Sequence, residues 1–290
     1  MLESELPAFF RSADAASLEG QRRYLSQIRW QFAAILAAAV AGALSAVLGA
    51  WLGWVAGASF IVAALLRLNA GHARSDRRWY QGRAAAESAK TLAWRFAVGG
   101  RPFPVSRKDD EARRTFVEQL AATTEIVKDV AVAPDPADGS EITERMELLR
   151  SADLAARMDA YRTDRIEDQR SWYARKASEN LALHRRWQQA VLATEILGAL
   201  YAIGIAAGIF AVDALGVFGV VAGAVIAWMN VKQFWNLSTA YSVAAQELGK
   251  VLSLSYQPFT EEEWAAFVDE SEEAISREHT LWVASRGVLQ

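Results

Sequence analysis

Glu195 is the residue whose type and place most invite chemistry. It lies in ATEILGALYAIGIAAG, inside a stretch from Gln188 to Val231 that holds no Lys or Arg. A carboxylate in hydrocarbon is costly unless it is paired, protonated or facing water, so an intramembrane acid is a functional candidate by default. Its alternatives are a hydrogen bond to a polar neighbour or reach to the headgroups, a place on a water-filled lumen, and a step in a proton relay. Counting outward from a turn near Val212 and Asp213 puts Asn230 at the same depth on the returning helix, as the matched polar partner. Gln31 and Asn69 bracket an earlier apolar stretch in the same manner.

Little else is arranged for catalysis. The chain has no Gly-x-x-x-x-Gly-Lys phosphate loop, no Gly-x-Ser-x-Gly elbow and no His-Glu-x-x-His. Its three histidines, His72, His184 and His279, stand far apart, and with no cysteine a zinc site would have to gather two of them with carboxylates. No metal, no cofactor and no enzymatic activity is expected. Asp164, Glu167 and Asp168 lie among Arg162, Arg165 and Arg170, a pattern that marks a solvated helix face stitched by i,i+4 pairs. No ladder of ionisable groups crosses the apolar stretches, which argues against ion-coupled transport. A pore made by oligomerisation is compatible with them, because apolar constrictions gate by dewetting. A net charge of -3 is too mild to recruit nucleic acid.

The elements that must hold Glu195 are apolar hairpins. Phe32 to Leu66 is also free of Lys and Arg. At roughly 1.5 Å per residue either stretch is far too long for one crossing of a core about 30 Å thick, so each folds back on itself. The second divides into Ala190 to Ala211 and Ala214 to Val231. A soluble protein with two buried hairpins would also fit 52% hydrophobic residues, but these segments are apolar or small on every face, and a buried soluble helix keeps a polar stripe. Trp30, Trp187, Trp228 and Trp235 near one end of the spans, and Trp51 and Trp54 near the first tip, suit interfacial belts. Arg22, Arg23, Arg29, Arg67, Arg74, Arg77 and Arg78 flank the first hairpin, and Arg185, Arg186 and Lys232 the second, while the tips carry no basic residue. The positive-inside rule then places both termini and the central segment in the cytoplasm. The expectation is an all-α integral membrane protein with two transmembrane helical hairpins, four spans in total, and long cytoplasmic helices.

The plan repeats. After the first hairpin comes WYQGRAAAESAKTLAWRF ending at a Pro-Phe, and after the second WNLSTAYSVAAQELGKVLSL ending at another, where proline disfavours helix. Residues 1–105 form a first unit with its hairpin at 32–66, residues 106–140 an amphipathic helix and linker, and residues 141–290 a second unit with its hairpin at 188–235. Phe116, Leu120, Ile126, Val127 and Val130 give the linker helix its apolar face, and APDPADGS ends it. From Ile142 to Arg186 no Pro or Gly intervenes, which predicts one long helix or two collinear ones leading into the second hairpin. A last helix runs from about Glu261 to Ser285, capped by Thr260. Gly49, Gly53 and Gly57, Gly204 and Gly208, and Gly219 and Gly223 are spaced four apart, a spacing that lets helix backbones approach closely in lipid, within a hairpin or between subunits.

Three cytoplasmic runs carry a family likeness: RRWYQGRAAAESAKTLAWRF from Arg77, RIEDQRSWYARKASEN from Arg165 and AISREHTLWVASR from Ala274. With a hairpin beside each of the first two, the chain resembles the SLATT family, the SMODS- and SLOG-associating two-transmembrane effector domains, in a tandem arrangement. The resemblance implies a membrane effector of prokaryotic conflict systems, resident in the cell inner membrane, that oligomerises and forms pores when a nucleotide second messenger is sensed. No nucleotide-binding segment is recognisable here, so the trigger is expected from a separate nucleotide-sensing or nucleotide-producing protein. The motif residues it singles out are Arg78, Trp79, Tyr80, Arg83, Glu87, Trp172, Tyr173, Arg277, Glu278, His279 and Trp282. The aromatic ones read as amphipathic anchors packing a helix layer near the headgroups. Glu278 and Trp282 share a face by which the last helix would dock on that layer. Arg77, Arg78, Arg83 and Arg95 with Glu87 are a lesser candidate for a ligand pocket. The competing function is a membrane scaffold that recruits cytosolic partners through the long helix and the 108–132 segment.

Overall fold

The structure, a computed structural model, describes residues 1–130, 132–133 and 139–285, and their side chains except at 70–73 and 277–285. Most of the APDPADGS linker therefore lies outside the described residues, as do the side chains of His72, Arg277, Glu278, His279 and Trp282. Every regular element among the described residues is helical. In chain order these are α1 (Ala8–Leu48), α2 (Trp51–Ala73), α3 (Ser75–Val98), α4 (Asp109–Thr123), α5 (Glu144–Arg150), α6 (Leu154–Tyr161), α7 (Asp168–Ala206), α8 (Leu215–Lys232), α9 (Phe234–Leu254) and α10 (Glu261–Ser285). A π-helical turn, Arg162–Glu167, joins α6 to α7. Four runs are long and apolar enough to cross a membrane: Ala8–Leu48, Trp51–Asn69, Leu154–Ala206 and Leu215–Leu254. The chain is an all-α membrane protein.

It folds as two compact units. One is made of Met1–Gln21, Ser75–Arg175 and the segment from Ala240 onward; the other of Arg22–Arg74 and Lys176–Thr239, which are the two hairpins. In the hairpin unit, α1 stops at Leu48 because Gly49 takes φ 121°, a conformation closed to other residues, and Trp51 Nε1 donates to the Leu48 carbonyl at 3.3 Å. In the second hairpin α7 ends at Ala206, short of the Ala211 read from hydropathy, since Gly208 at φ 71° reverses the chain and Ile209 N bonds back to the Gly204 carbonyl at 2.9 Å. Gly49 and Gly208 are therefore turn residues, not helix-face contacts. Tyr201 staples the second turn, its hydroxyl donating to the Val212 carbonyl at 2.7 Å while its ring stacks on Phe210 at 4.8 Å. Asp213 Oδ1 accepts from Leu215 N at 3.1 Å and caps α8.

The two copies share backbone devices. A single left-handed residue separates each returning span from the helix that follows it, Arg74 at φ 43° before α3 and Gln233 at φ 51° before α9. A serine ties the helix before each hairpin to the helix after it: Ser17 Oγ to the Trp79 carbonyl at 3.0 Å, and Ser238 Oγ to the Ala177 carbonyl at 2.9 Å.

In the first of the two units, the core unit, α3 is the central element. Its alanines, Ala85, Ala86, Ala89, Ala93 and Ala97, are buried against neighbouring helices, and Trp94 and Phe96 join Phe103, Phe116, Met146, Tyr161, Trp264 and Val268 in one core. α1 and α3 approach backbone to backbone: a Cβ on Gly20 would meet Trp79 N at 2.7 Å, and one on Gly82 would meet the Ala13 carbonyl at 2.9 Å. The amphipathic linker helix is α4, which buries Ala112, Phe116 and Leu120. The one long helix or two collinear ones expected from Ile142 are interrupted at Ser151–Asp153, where Asp153 caps α6 by accepting from Ala156 N at 2.8 Å. α10 occupies its expected range. Thr260 and Glu263 form a reciprocal capping box, and the bonds that Glu263 Oε2 accepts from Thr260 N at 2.8 Å and Thr260 Oγ1 at 2.9 Å hold its carboxyl below the usual carboxylate range.

Candidate functional site

The most constrained chemistry lies in the core unit, at Glu272 of α10. Its side chain is fully buried. Arg165 Nε donates to Oε1 at 2.8 Å and Nη2 to Oε2 at 2.6 Å, a bidentate pair. The Tyr161 hydroxyl adds a bond to Oε1 at 3.0 Å and Thr91 Oγ1 one to Oε2 at 2.9 Å. Burial works against the Arg165 charge, but the field and hydrogen bonds of Glu272 outweigh it and raise its pKa above the arginine norm. Burial first, and Glu272 next, push the Tyr161 hydroxyl well above its ordinary value. One donor is unsatisfied: Arg165 Nη1 is buried with no hydrogen-bond partner. Arg165 sits in the π turn, whose extra residue per turn turns it inward. The sequence pattern had placed it on a solvated face stitched by i,i+4 pairs; instead it is buried, and its half-buried neighbour Arg162 approaches Asp159, three residues away, at 3.7 Å.

Two further arginines anchor the same helices at the end of α3. Arg150 Nη1 donates to the Phe96 and Phe103 carbonyls at 3.1 and 2.8 Å, and its guanidinium lies 4.9 Å from the Phe96 ring centre. Arg157 Nη1 reaches the Val98 carbonyl at 3.0 Å and Nη2 pairs with Glu261 of α10. Trp264 Nε1 donates to the same Val98 carbonyl at 2.8 Å. These donors satisfy the carbonyls a helix end leaves open and place positive charge at the negative end of its dipole.

Nearer the membrane-proximal start of α3, the motif residues meet across the two copies. Arg83 bonds Glu87 at 2.5 Å and approaches Asp14 at 3.6 Å. Glu87 above all raises the Arg83 pKa, with Tyr241 and Tyr173 also contributing, so α3, α7 and α9 face one another here. Arg78 pairs with Glu19 at 2.8 Å, and Arg95 with Asp269 at 2.9 Å. Arg78, Arg83 and Arg95 are thus engaged in ion pairs, while the buried Nε of Arg78 and of Arg95 have no hydrogen-bond partner. Trp79 and Tyr80 stack at 4.7 Å and are buried, while Tyr173 packs on Tyr241 at 5.6 Å and Trp172 on Tyr241 at 5.3 Å. Trp79, Tyr80 and Tyr173 are buried side chains and not headgroup anchors, while Trp172 is half-buried against Tyr173 and Tyr241.

In the hairpin unit the picture inverts. Glu195 and Asn230 are both exposed on their helices, and no hydrogen bond joins them among the described residues. Gly53, Gly57, Gly219 and Gly223 face open space, with nothing within 4 Å of a built Cβ. Close packing inside a hairpin falls instead to Gly198, whose Cβ would meet Phe218 Cβ at 3.2 Å, and to Gly204 under the Phe210 ring. No cluster able to hold a metal occurs among the described residues.

Residues 7–158 match the family described as SMODS and SLOG-associating 2TM effector domain 3, and residues 161–282 match SMODS and SLOG-associating 2TM effector domain 1. The chain belongs to the SLATT family. It carries two SLATT domains in tandem, meeting in the last turn of α6. No curated protein and no solved structure matches it. The tandem SLATT chain does not fold as two separate domains: each match supplies one hairpin to one unit and its remaining helices to the other. The hydrogen-bond cluster on Glu272 spans both matches, Thr91 coming from the first and Tyr161, Arg165 and Glu272 from the second.

Sequence reasoning missed Glu272, Arg165, Tyr161 and Thr91. One signal was available. Arg150, Arg157 and Arg165 recur at seven and eight residues, a helical-face spacing, and all three are buried.

Proposed function

We propose that this tandem SLATT protein is an oligomeric pore-forming effector of a prokaryotic nucleotide-signalled antiviral system, resident in the inner membrane with both termini cytoplasmic. The core unit, on the cytoplasmic side, holds it closed, and a separate nucleotide-sensing or nucleotide-producing partner opens it by displacing α10. One observation carries this reading: the continuous helical run Leu154–Ala206 bears Arg165 in the buried pair near one end and the unpartnered Glu195 in its apolar part. Burying an ion pair costs nearly what it returns, and the orphan Nη1 of Arg165 lowers the return further, so the pair suits a catch better than a permanent rivet. Releasing Glu272 frees Arg165, relaxes the π turn and turns the helix that continues into the third span. The open faces of Gly53, Gly57, Gly219 and Gly223 supply surfaces for neighbouring copies.

The test is dye and ion efflux from liposomes holding the purified protein. Glu272→Gln is expected to leak without any activator, Gly53→Leu to abolish leakage by blocking close approach, and Glu195→Ala to change ion selectivity. Oligomers that stay tight in every variant would reject the pore and favour the scaffold.

A further inference from the structure

Six arginines of the hairpin unit are exposed and pair with no carboxylate among the described residues: Arg22, Arg29, Arg67, Arg74, Arg185 and Arg186. No Asp or Glu occurs anywhere between Glu19 and Asp76. In the second hairpin segment Glu179 is taken by Lys176 at 2.7 Å, Asp213 is at the far turn, and Glu195 is within the apolar run. The unit therefore supplies no acid at the level of these cations.

Arg22 and Arg29 on α1 are seven residues apart, which puts them on one helix face and about 10 Å apart along the axis, while Arg67 lies in the last turns of α2 and Arg74 is the left-handed residue just past its end. Exposed indoles stand beside them: Trp30 is 66% exposed next to Arg29, and Trp235 is 56% exposed with its ring 5.4 Å from His184. Indole at the interface and guanidinium just outside it is the arrangement that lipid phosphates meet.

We propose that this acid-free band is a binding surface for anionic phospholipid headgroups, with the guanidinium groups donating in pairs to phosphate oxygens. Charge alone would orient the hairpins in any membrane; the further claim is selectivity among lipids at this band. The band lies against the apolar runs, so its occupant is the bilayer's own phosphate and not a soluble anion. The proposal needs only the membrane placement and stands whether or not the protein conducts.

The measurement is the fraction of spin-labelled phosphatidylglycerol, against spin-labelled phosphatidylcholine, immobilised by the full-length protein in phosphatidylcholine vesicles. Phosphatidylglycerol is expected to associate about fivefold more strongly, the worth of one basic side chain at an anionic surface. That preference should shrink at about 1 M salt, where screening is nearly complete over headgroup distances. It should fall toward unity in Arg22→Gln/Arg29→Gln/Arg67→Gln/Arg74→Gln. Arg185→Gln/Arg186→Gln, on the other hairpin, gives a second reading if the fourfold variant fails to insert. Equal association of the two lipids with the native protein would overturn the proposal, as would a preference unchanged in both variants. Efflux is not read here, so failure of the pore leaves this result intact.

Discussion

Two carboxylates divide this molecule. Glu272 lies in the core unit and receives four hydrogen bonds from three side chains, whereas Glu195 stands exposed in an apolar run with none joining it to Asn230. The contrast extends to their surroundings. Around Glu272 the large side chains Trp94, Trp264, Tyr161 and Ile166 are buried, while around Glu195 Leu192, Ile196 and Leu200 are all more than half exposed. One unit satisfies most of its polar and apolar groups within a single chain, Arg165 Nη1 being an exception; the other leaves both kinds for something outside it. For the leucines that something is lipid. For Glu195, on the proposed function, it would be pore water or another subunit.

The sharpest way to break the contrast is to give Glu272 the isolation of Glu195. Arg165→Ala leaves a buried carboxylate without its counterion, and stability of the core unit is expected to drop by about 3–5 kcal/mol, measured by denaturant unfolding of the full chain in detergent. The double variant Arg165→Met/Glu272→Leu should recover most of that loss, because an apolar pair of similar volume removes the desolvation cost. Failure to recover would mean that the pair does more than neutralise itself. Next in size is Arg157→Met, which strips a donor from the Val98 carbonyl and leaves Glu261 unpaired; a loss of about 2 kcal/mol is expected.

How far this contrast was readable beforehand follows from what each region is made of. Hairpin spans are written in composition, so the runs around Glu195, the flanking arginines and the last helix at Glu261–Ser285 were all legible. Turns were less so, because Gly49 and Gly208 share the four-residue spacing of packing glycines, and only φ separates a turn from a contact. Glu272 was illegible for a different reason. It sits in ESEEAIS among solvated acids, and nothing local distinguishes the one buried glutamate from its exposed neighbours Glu270 and Glu273. Its partner Arg165 was hidden by the π turn, which shifts the register on which an i,i+4 reading depends. Trp79 and Tyr80 were recognised as a motif but assigned to headgroups, since their burial depends on Gly20 and Gly82 bringing α1 against α3.

Within the hairpin unit a smaller test asks whether the hydroxyl that staples its second turn behaves like the satisfied polar groups of the core unit. Tyr201→Phe keeps the stack on Phe210 and removes the bond to the Val212 carbonyl, and about 1 kcal/mol should be lost. Glu195→Gln, in contrast, should leave stability in detergent within about 0.5 kcal/mol of native, since no partner within the chain is lost. A large destabilisation would show that Glu195 is engaged in the oligomer even in detergent and would erase the contrast.

The smallest effect sharpens the comparison from inside the core unit, where two charges are held at a disadvantage. Burial, and then Arg165, lowers the Lys90 pKa below 10.5. A depressed pKa means that the stability Lys90 contributes is present above 10.5 and is lost as pH falls through its folded value, so at neutral pH the charged amine is a burden. Asp14 is the mirror case. Burial raises its pKa above 3.8, and its contribution, present below 3.8, is lost as pH rises through the folded value. Lys90→Met is therefore expected to be slightly more stable than native at neutral pH, by under about 1 kcal/mol, with the gap closing as pH approaches 10.5. Asp14→Asn should gain at neutral pH as well, with its gap closing toward pH 3.8. Thermal unfolding of the native chain and both variants across those ranges reads the two slopes, and slopes of the opposite sign would mean that these charges are held by attraction, as Glu272 is, rather than tolerated.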